Sequence, residues 1–285
     1  MGDAEDFLVL DEPQAGMQRL IARFRGHAYD LHRHECYAIG ITDWGVQAFR
    51  YRGAERASLS GQVIVIHPDE AHDGHAGMPR GFAYRMVYLE PALVQQALGG
   101  AYAPPFVPEV VADDAATADI LSEAFMDFPS SLDPLALDGI VARLADALAR
   151  RGDQGRGRAS SPRARDRVEA ARAYLAAECS RTISSSDLEA VTGLDRFTLA
   201  REFRAVLGTS PHRYLVGRRI DRARALIMAG NGLADAATAA GFVDQSHLTR
   251  QFKARYGVTP GRWAALAKVK AIGIGVAADR RRRFR

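Results

Sequence analysis

From Gly241 to Trp263 the chain reads GFVDQSHLTRQFKARYGVTPGRW, and from Gly193 to Tyr214 it reads GLDRFTLAREFRAVLGTSPHRY. With one residue inserted at Val243, the two stretches align at a constant offset of 49, so that Arg201, Phe203 and Pro211 recur as Arg250, Phe252 and Pro260. A fixed internal period marks one supersecondary unit used twice. Each copy holds a glycine in a turn (Gly193, Gly241), an aspartate suited to N-capping (Asp195, Asp244), and then a helix. In that helix Leu199 and Phe203, or Leu248 and Phe252, stand four apart and share one face, which packs on the helix before it. The opposite face carries Arg196, Phe197, Arg201 and Arg204 in the first copy and Gln245, Ser246, Thr249, Arg250 and Lys253 in the second. Such side chains bond to phosphates and to base edges in a major groove.

Working outward, the whole region reads as helices divided by turn residues. The expected helices are Arg163–Glu178, Ser186–Thr192, Asp195–Leu207, a long Pro211–Met228 with proline at its start, Leu233–Ala240, Asp244–Tyr256 and Pro260–Ala267. They form an all-α domain over residues 166–267, two helix-turn-helix units joined by the long helix. Lys268, Lys270, Arg280 to Arg283 and Arg285 make residues 268–285 a basic tail suited to nonspecific phosphate attraction.

The second copy resembles the C-terminal signature of the AraC/XylS family of bacterial transcription regulators, and the resemblance covers about Arg163 to Ala267. In that family each recognition helix enters a major groove. The resemblance therefore implies Arg196, Phe197, Ala200 and Arg201 as base-facing in the first helix, and Gln245, Ser246 and Thr249 with Arg250 in the second. Ala200 is too short to reach a base edge. Glu189 stands where the family usually has a small residue, and Ala236 replaces a branched one.

Upstream the pattern changes. Trp44–Arg52, Gln62–Ile66 and Phe82–Leu89 read as strands, and Asp114–Phe128 and Pro134–Arg150 as two helices separated by Pro129-Ser130-Ser131. RRGDQGRGRASSPRAR, from Arg150, reads as an exposed linker, taken as residues 151–165. Residues 1–150 are then a sensor domain expected to fold alone: a β-barrel followed by a helical pair that covers the barrel or serves as a dimerisation surface.

Within it, His32-Arg33-His34 and the later Pro68, Glu70 and His72 resemble the two motifs of cupin β-barrels. Three histidines from two strands could make a three-ligand metal site from His32, His34 and His72. The family's metal-binding carboxylate, however, would fall near Ala38 or Ile39, and Glu70 replaces a glycine. The same histidines could equally serve as hydrogen-bonding groups, which makes the barrel a candidate effector pocket lined by some of His32, His34, Tyr37, Trp44, His72 and Tyr84. By resemblance, cupin-like domains at the N-terminus of such regulators bind an effector without chemistry.

Composition agrees with a two-part chain. The 285 residues are 47% hydrophobic, enough for two separate cores. Residues 1–150 hold 11 Lys and Arg against 22 Asp and Glu, a net −11, and the remainder a net +15. A basic half suggests a polyanionic partner. Cys36 and Cys179 alone give neither a disulfide framework nor finger spacing, which fits a reducing cytoplasm, and no leader or membrane-length apolar run is present.

The function expected is a sequence-specific transcription regulator, not an enzyme, with double-stranded DNA and a small-molecule effector as partners and no cofactor. A homodimer and contact with RNA polymerase stay open. The alternatives are a metal-dependent cupin enzyme fused to a DNA-binding module, and an architectural binder indifferent to sequence.

Overall fold

The computed structural model describes residues 5–100, 104–152 and 161–268. Nine strands come first: β1 (Phe7–Leu10), β2 (Met17–Phe24), β3 (His27–His32), β4 (Tyr37–Tyr51), β5 (Ala54–Leu59), β6 (Val63–Ile66), β7 (His72–Ala76), β8 (Phe82–Leu89) and, after helix α1 (Pro91–Ala97), β9 (Val111–Ala112). Helices α2 (Ala115–Ala124) and α3 (Pro134–Arg151) close the first half. Phe82–Leu89 has the expected bounds, whereas the strand expected from Trp44 starts seven residues earlier, at Tyr37.

That long strand organises the barrel. Its first part pairs with β8 and β6, its second with β5 and β7, and the register shifts between Thr42 and Trp44. At Gly45 the backbone sits at φ +78, and a Cβ there would lie 2.1 Å from the Gly81 carbonyl oxygen, so only glycine permits the two strands to cross so closely. The irregularity also exchanges the faces of β4: Ala38 and, past it, Gln47, Phe49 and Tyr51 belong to the interior, while Tyr37, Ile39 and Ile41 pack outward under α2 and α3. The helical pair thus covers the barrel. Arg19 on β2, fully buried, ties the pair down: it pairs with Asp11 and donates to the carbonyls of Ala124 (2.6 Å) and Ser130 (2.5 Å).

The second half is all helix: α4 (Pro162–Ala177), α5 (Ser185–Thr192), α6 (Arg196–Leu207), α7 (Pro211–Met228), α8 (Leu233–Ala239), α9 (Gln245–Tyr256) and α10 (Pro260–Lys268). All seven expected helices are present, each bound within a residue. Asp195 and Asp244 cap α6 and α9 by accepting from backbone N–H groups. The expected linker is helical at both ends, through Arg151 and from Pro162, because the helical pattern outruns the glycine- and arginine-rich centre. Its middle, residues 153–160, and all but the first residue of the basic tail lie outside the described residues.

The core divides in a way the sequence did not suggest. Helices α4 to α6 and the start of α7 have their own apolar cluster around Phe203. The second unit does not: Phe252, Leu248, Trp263 and Phe242 share one continuous cluster with Phe24, Tyr29, Phe82 and Tyr84 of the barrel interior. Two separate cores therefore give way to a barrel closed by the second helix-turn-helix unit.

Candidate functional site

Two sites emerge: an exposed face on two helices and a cavity inside the barrel. On α6, Leu199 and Phe203 are buried while Arg196, Phe197, Ala200, Arg201 and Arg204 are exposed, as the period of the helix requires. Phe197 is 65% exposed, and the Arg196 guanidinium lies 5.0 Å from its ring centroid, which presents a cation stacked on an apolar surface. Arg201 bonds to Thr198 Oγ1 at 3.0 Å. On α9, Gln245, Ser246 and Arg250 are exposed and Thr249 half-buried. Among the described residues none of Arg196, Arg201, Arg204 and Arg250 forms an ion pair. The Glu189 carboxylate accepts from the Arg196 backbone N–H at 2.9 Å, so this departure from the family pattern braces the entry to α6.

Lys253 departs from expectation. It pairs with Asp30 on β3 at 2.7 Å, because its side of α9 lies against the barrel. Other cations of the basic half are used the same way: Arg213 pairs with Asp69 (2.6 Å), Arg172 with Glu90 (3.2 Å) and Arg255 with Glu35. Backbone bonds join the parts too, Asp30 N–H to the Gly257 carbonyl (2.9 Å) and Arg33 N–H to that of Ala254 (3.0 Å). The charge asymmetry thus serves domain docking as well as any external polyanion.

The cavity, about 60 Å³ in volume, sits where the barrel meets α9 and α10. Of the six residues expected to line it, His32, His34, His72 and Tyr84 do. Tyr37 does not: it lies on the outward face of β4 and donates to the Pro105 carbonyl at 2.6 Å. Trp44 stands just past the irregularity that exchanges the faces, partly exposed beneath Arg23. Period-two alternation on β8 from Tyr84 would have added Met86 and Tyr88, which also line the cavity. Arg255, Tyr256 and Trp263 come from the other half of the chain and carry no local signal for it.

The three imidazoles converge, with His72 4.2 Å from His32 and 4.9 Å from His34 between ring centroids. Each Nδ1 meets a backbone carbonyl: Asp30 (2.9 Å), Cys36 (2.8 Å) and Glu70 (3.0 Å) respectively for His32, His34 and His72. Burial, then the neighbouring rings, hold His32 and His34 well below the usual imidazole range, and burial takes His72 down to about 4. All three are neutral at pH 7. Among the described residues no group of three or more His, Cys, Asp or Glu is placed to hold a metal ion.

Comparison with known proteins reads the same two parts. The AraC-like ligand binding domain family matches residues 14–145, and a helix-turn-helix domain family matches residues 188–265. The chain belongs to the AraC/XylS family of transcription regulators. It is 26% identical over 232 residues to YbfI, an uncharacterised helix-turn-helix regulator of Bacillus subtilis, a match covering 79% of this chain and 84% of that one. It is 35% identical over 82 residues to VirF, a virulence regulon transcriptional activator of Yersinia enterocolitica, covering 28% of this chain and 30% of VirF. The structure of ToxT from Vibrio cholerae superimposes with a TM-score of 0.62 at 12% identity, over 88% of this chain and 98% of ToxT. ToxT has also been solved with an unsaturated fatty acid bound, at a TM-score of 0.61 and 11% identity, over 93% of this chain and 98% of that one. An AraC-type regulator with a ligand-binding barrel and a helix-turn-helix DNA-binding domain accounts for both sites, and the fused enzyme is not favoured.

Proposed function

We propose that α6 and α9 read two successive major grooves and that occupancy of the barrel cavity governs how they do so. The observation that carries this reading is that Arg196, Arg201, Arg204 and Arg250, exposed on the two helices, form no ion pair among the described residues, while the C-terminal end of α9 forms a wall of the cavity. In one groove Arg196, Phe197 and Arg201 supply guanidinium donors for guanine and an apolar surface for a thymine methyl, with Ala200 lying close and Arg204 on phosphate. In the other, Gln245, Ser246, Thr249 and Arg250 do the reading. Helix α7, 18 residues long, spans roughly 27 Å, which with the width of the units matches the ~34 Å between successive groove faces. The faces differ, so the site of one chain is asymmetric. Inserting about five base pairs between the half-elements turns them to opposite sides of the duplex. Footprinting then shows protection of one half-element only; equal protection of both would refute the reading.

The effector binds without being turned over. The one thiol in the cavity, Cys36, lies 3.7 Å from His34 Nδ1, but burial raises its pKa and keeps it protonated, so it is a poor nucleophile. The reading places the protein in the bacterial cytoplasm. No described helix is long and apolar enough to cross a membrane. Homodimerisation through the outer edge of α2 and α3, where Met126 and Leu135 are exposed, and contact with RNA polymerase belong to the same reading. Sedimentation of wild type against Leu135→Glu tests the dimer.

A further inference from the structure

Helix α7 joins the two helix-turn-helix units, yet its interior holds a glycine, Gly217, which is buried. Glycine weakens a helix interior and leaves its backbone freer to bend. Its surroundings give the reason for it. A Cβ on Gly217 would stand 2.8 Å from Arg255 Nη1 and 3.6 Å from Glu35 Oε2. The Arg255 guanidinium, from the last turn of α9, lies against the bare backbone of α7 and pairs there with Glu35, in the segment between β3 and β4 of the barrel. Its Nη2 is 3.8 Å from Asp221 of α7, which also accepts from the Tyr256 hydroxyl at 3.1 Å and pairs with Arg218 at 3.0 Å. The Arg255 and Glu35 side chains are 13% and 22% exposed, so water screens their attraction far less than at the surface.

The barrel is tied to the first unit as well. Glu90, just past β8, pairs with Arg172 of α4 at 3.2 Å and stands 3.9 Å from Arg218. Asp69 pairs with Arg213, in the first turn of α7, at 2.6 Å. Ala92, at the start of α1, packs on the apolar cluster of α4 to α6. Ties from one body, the barrel, thus fall on both sides of Gly217: Arg213 and Arg172 on the side of the first unit, Arg255 on the side of the second. A bend at Gly217 would have to break one set or the other.

We propose that the barrel braces α7, and that Arg255, held by Glu35, is the positioning residue that fixes the second recognition helix relative to the first and so sets the half-element spacing the protein accepts. The inference rests on the reading that α6 and α9 occupy successive major grooves. Arg255 also lines the barrel cavity, so an occupant of the cavity lies against the brace.

Fluorescence anisotropy with the full-length protein tests it, on a selected site and on versions with one base pair added or removed between the half-elements. Each change turns one half-element by roughly 35° and moves it by about 3.4 Å. Wild type is expected to bind the altered sites about tenfold more weakly than the selected one. In Glu35→Gln and in Arg255→Gln that ratio should shrink to about threefold or less, and in the double variant no further, because both remove the same tie. A general loss of structure weakens binding to all three sites in proportion and leaves the ratios as they were; ratios unchanged in both variants overturn the proposal. Relaxation in Arg255→Gln alone overturns it too, since Asp221 and not the barrel is then the partner that matters. If urea unfolding shows Arg255→Gln to be unfolded, Glu35→Gln, which keeps the shape of its side chain, decides by the same ratio. A wild type that ignores one base pair but not five removes the brace and leaves the two-groove reading standing; one that ignores both removes that reading itself.

Discussion

The repeat supplies a paired experiment on how the second helix-turn-helix unit is held. Gly208 and Gly257 occupy the same position 49 residues apart, each ending its recognition helix in the left-handed conformation, at φ 72 and φ 68. Alanine at either site adopts that conformation at a cost of roughly 1–2 kcal/mol. The surroundings differ. At Gly208 the nearest atom to an added Cβ is Pro91 Cγ at 3.5 Å, an ordinary contact. At Gly257 it would lie 2.7 Å from the Asp30 carbonyl oxygen, 2.8 Å from Tyr29 Cβ and 2.9 Å from His32 Nδ1. Those atoms are backbone or packed side chain, so α9 must back away from β3 and weaken the Asp30 to Gly257 and Arg33 to Ala254 hydrogen bonds. At about 1 kcal/mol each, they bring the cost of Gly257→Ala to roughly 3–4 kcal/mol, against roughly 1–2 for Gly208→Ala. Urea unfolding followed by circular dichroism measures both. Equal losses would refute the argument that the barrel grips the second unit more closely than the first.

Arg201→Ala and Arg250→Ala should each lose roughly 1–3 kcal/mol of binding to a selected site while binding to scrambled DNA changes little; a parallel loss on both DNAs would reassign the arginines to phosphates. Lys253→Ala should leave the slope of log affinity against log salt unchanged, because that ammonium is paired with Asp30; a slope reduced by about one would return it to the phosphate backbone. The buried histidines set an acid limit on the fold. His72 falls from 6.5 unfolded to about 4 folded, so below pH 6.5 the unfolded chain takes up a proton that the folded one refuses. The stability it contributes is complete above about pH 6.5 and lost as pH falls towards 4, amounting to about 2 kcal/mol for this ring by pH 5. A urea midpoint that does not move between pH 7.5 and 5 would contradict the buried, neutral state; His72→Gln should reduce the dependence.

What the sequence determined by itself is what depends on near neighbours in the chain. The two recognition helices were legible because capping, the spacing of Leu199 to Phe203 and of Leu248 to Phe252, and the offset of 49 are all local, and a side chain on a regular helix is buried or exposed by its period alone. Arg196, Phe197, Arg201 and Arg250 were found that way and are exposed as expected. Where a register irregularity intervened, the same logic failed: the shift between Thr42 and Trp44 exchanged the faces of β4, so Trp44 left the cavity and Gln47 entered it, while Tyr37, next to the inward Ala38, faces outward by alternation alone. Only the tertiary structure decided the rest. Arg255, Tyr256 and Trp263 close the barrel more than 200 residues from His32 and His34 in the chain, and Lys253 pairs with Asp30 across the same junction. Contacts between halves that are acidic and basic, each amphipathic in its own right, leave no periodicity in either; they exist only once the folded surfaces meet and exclude water between them.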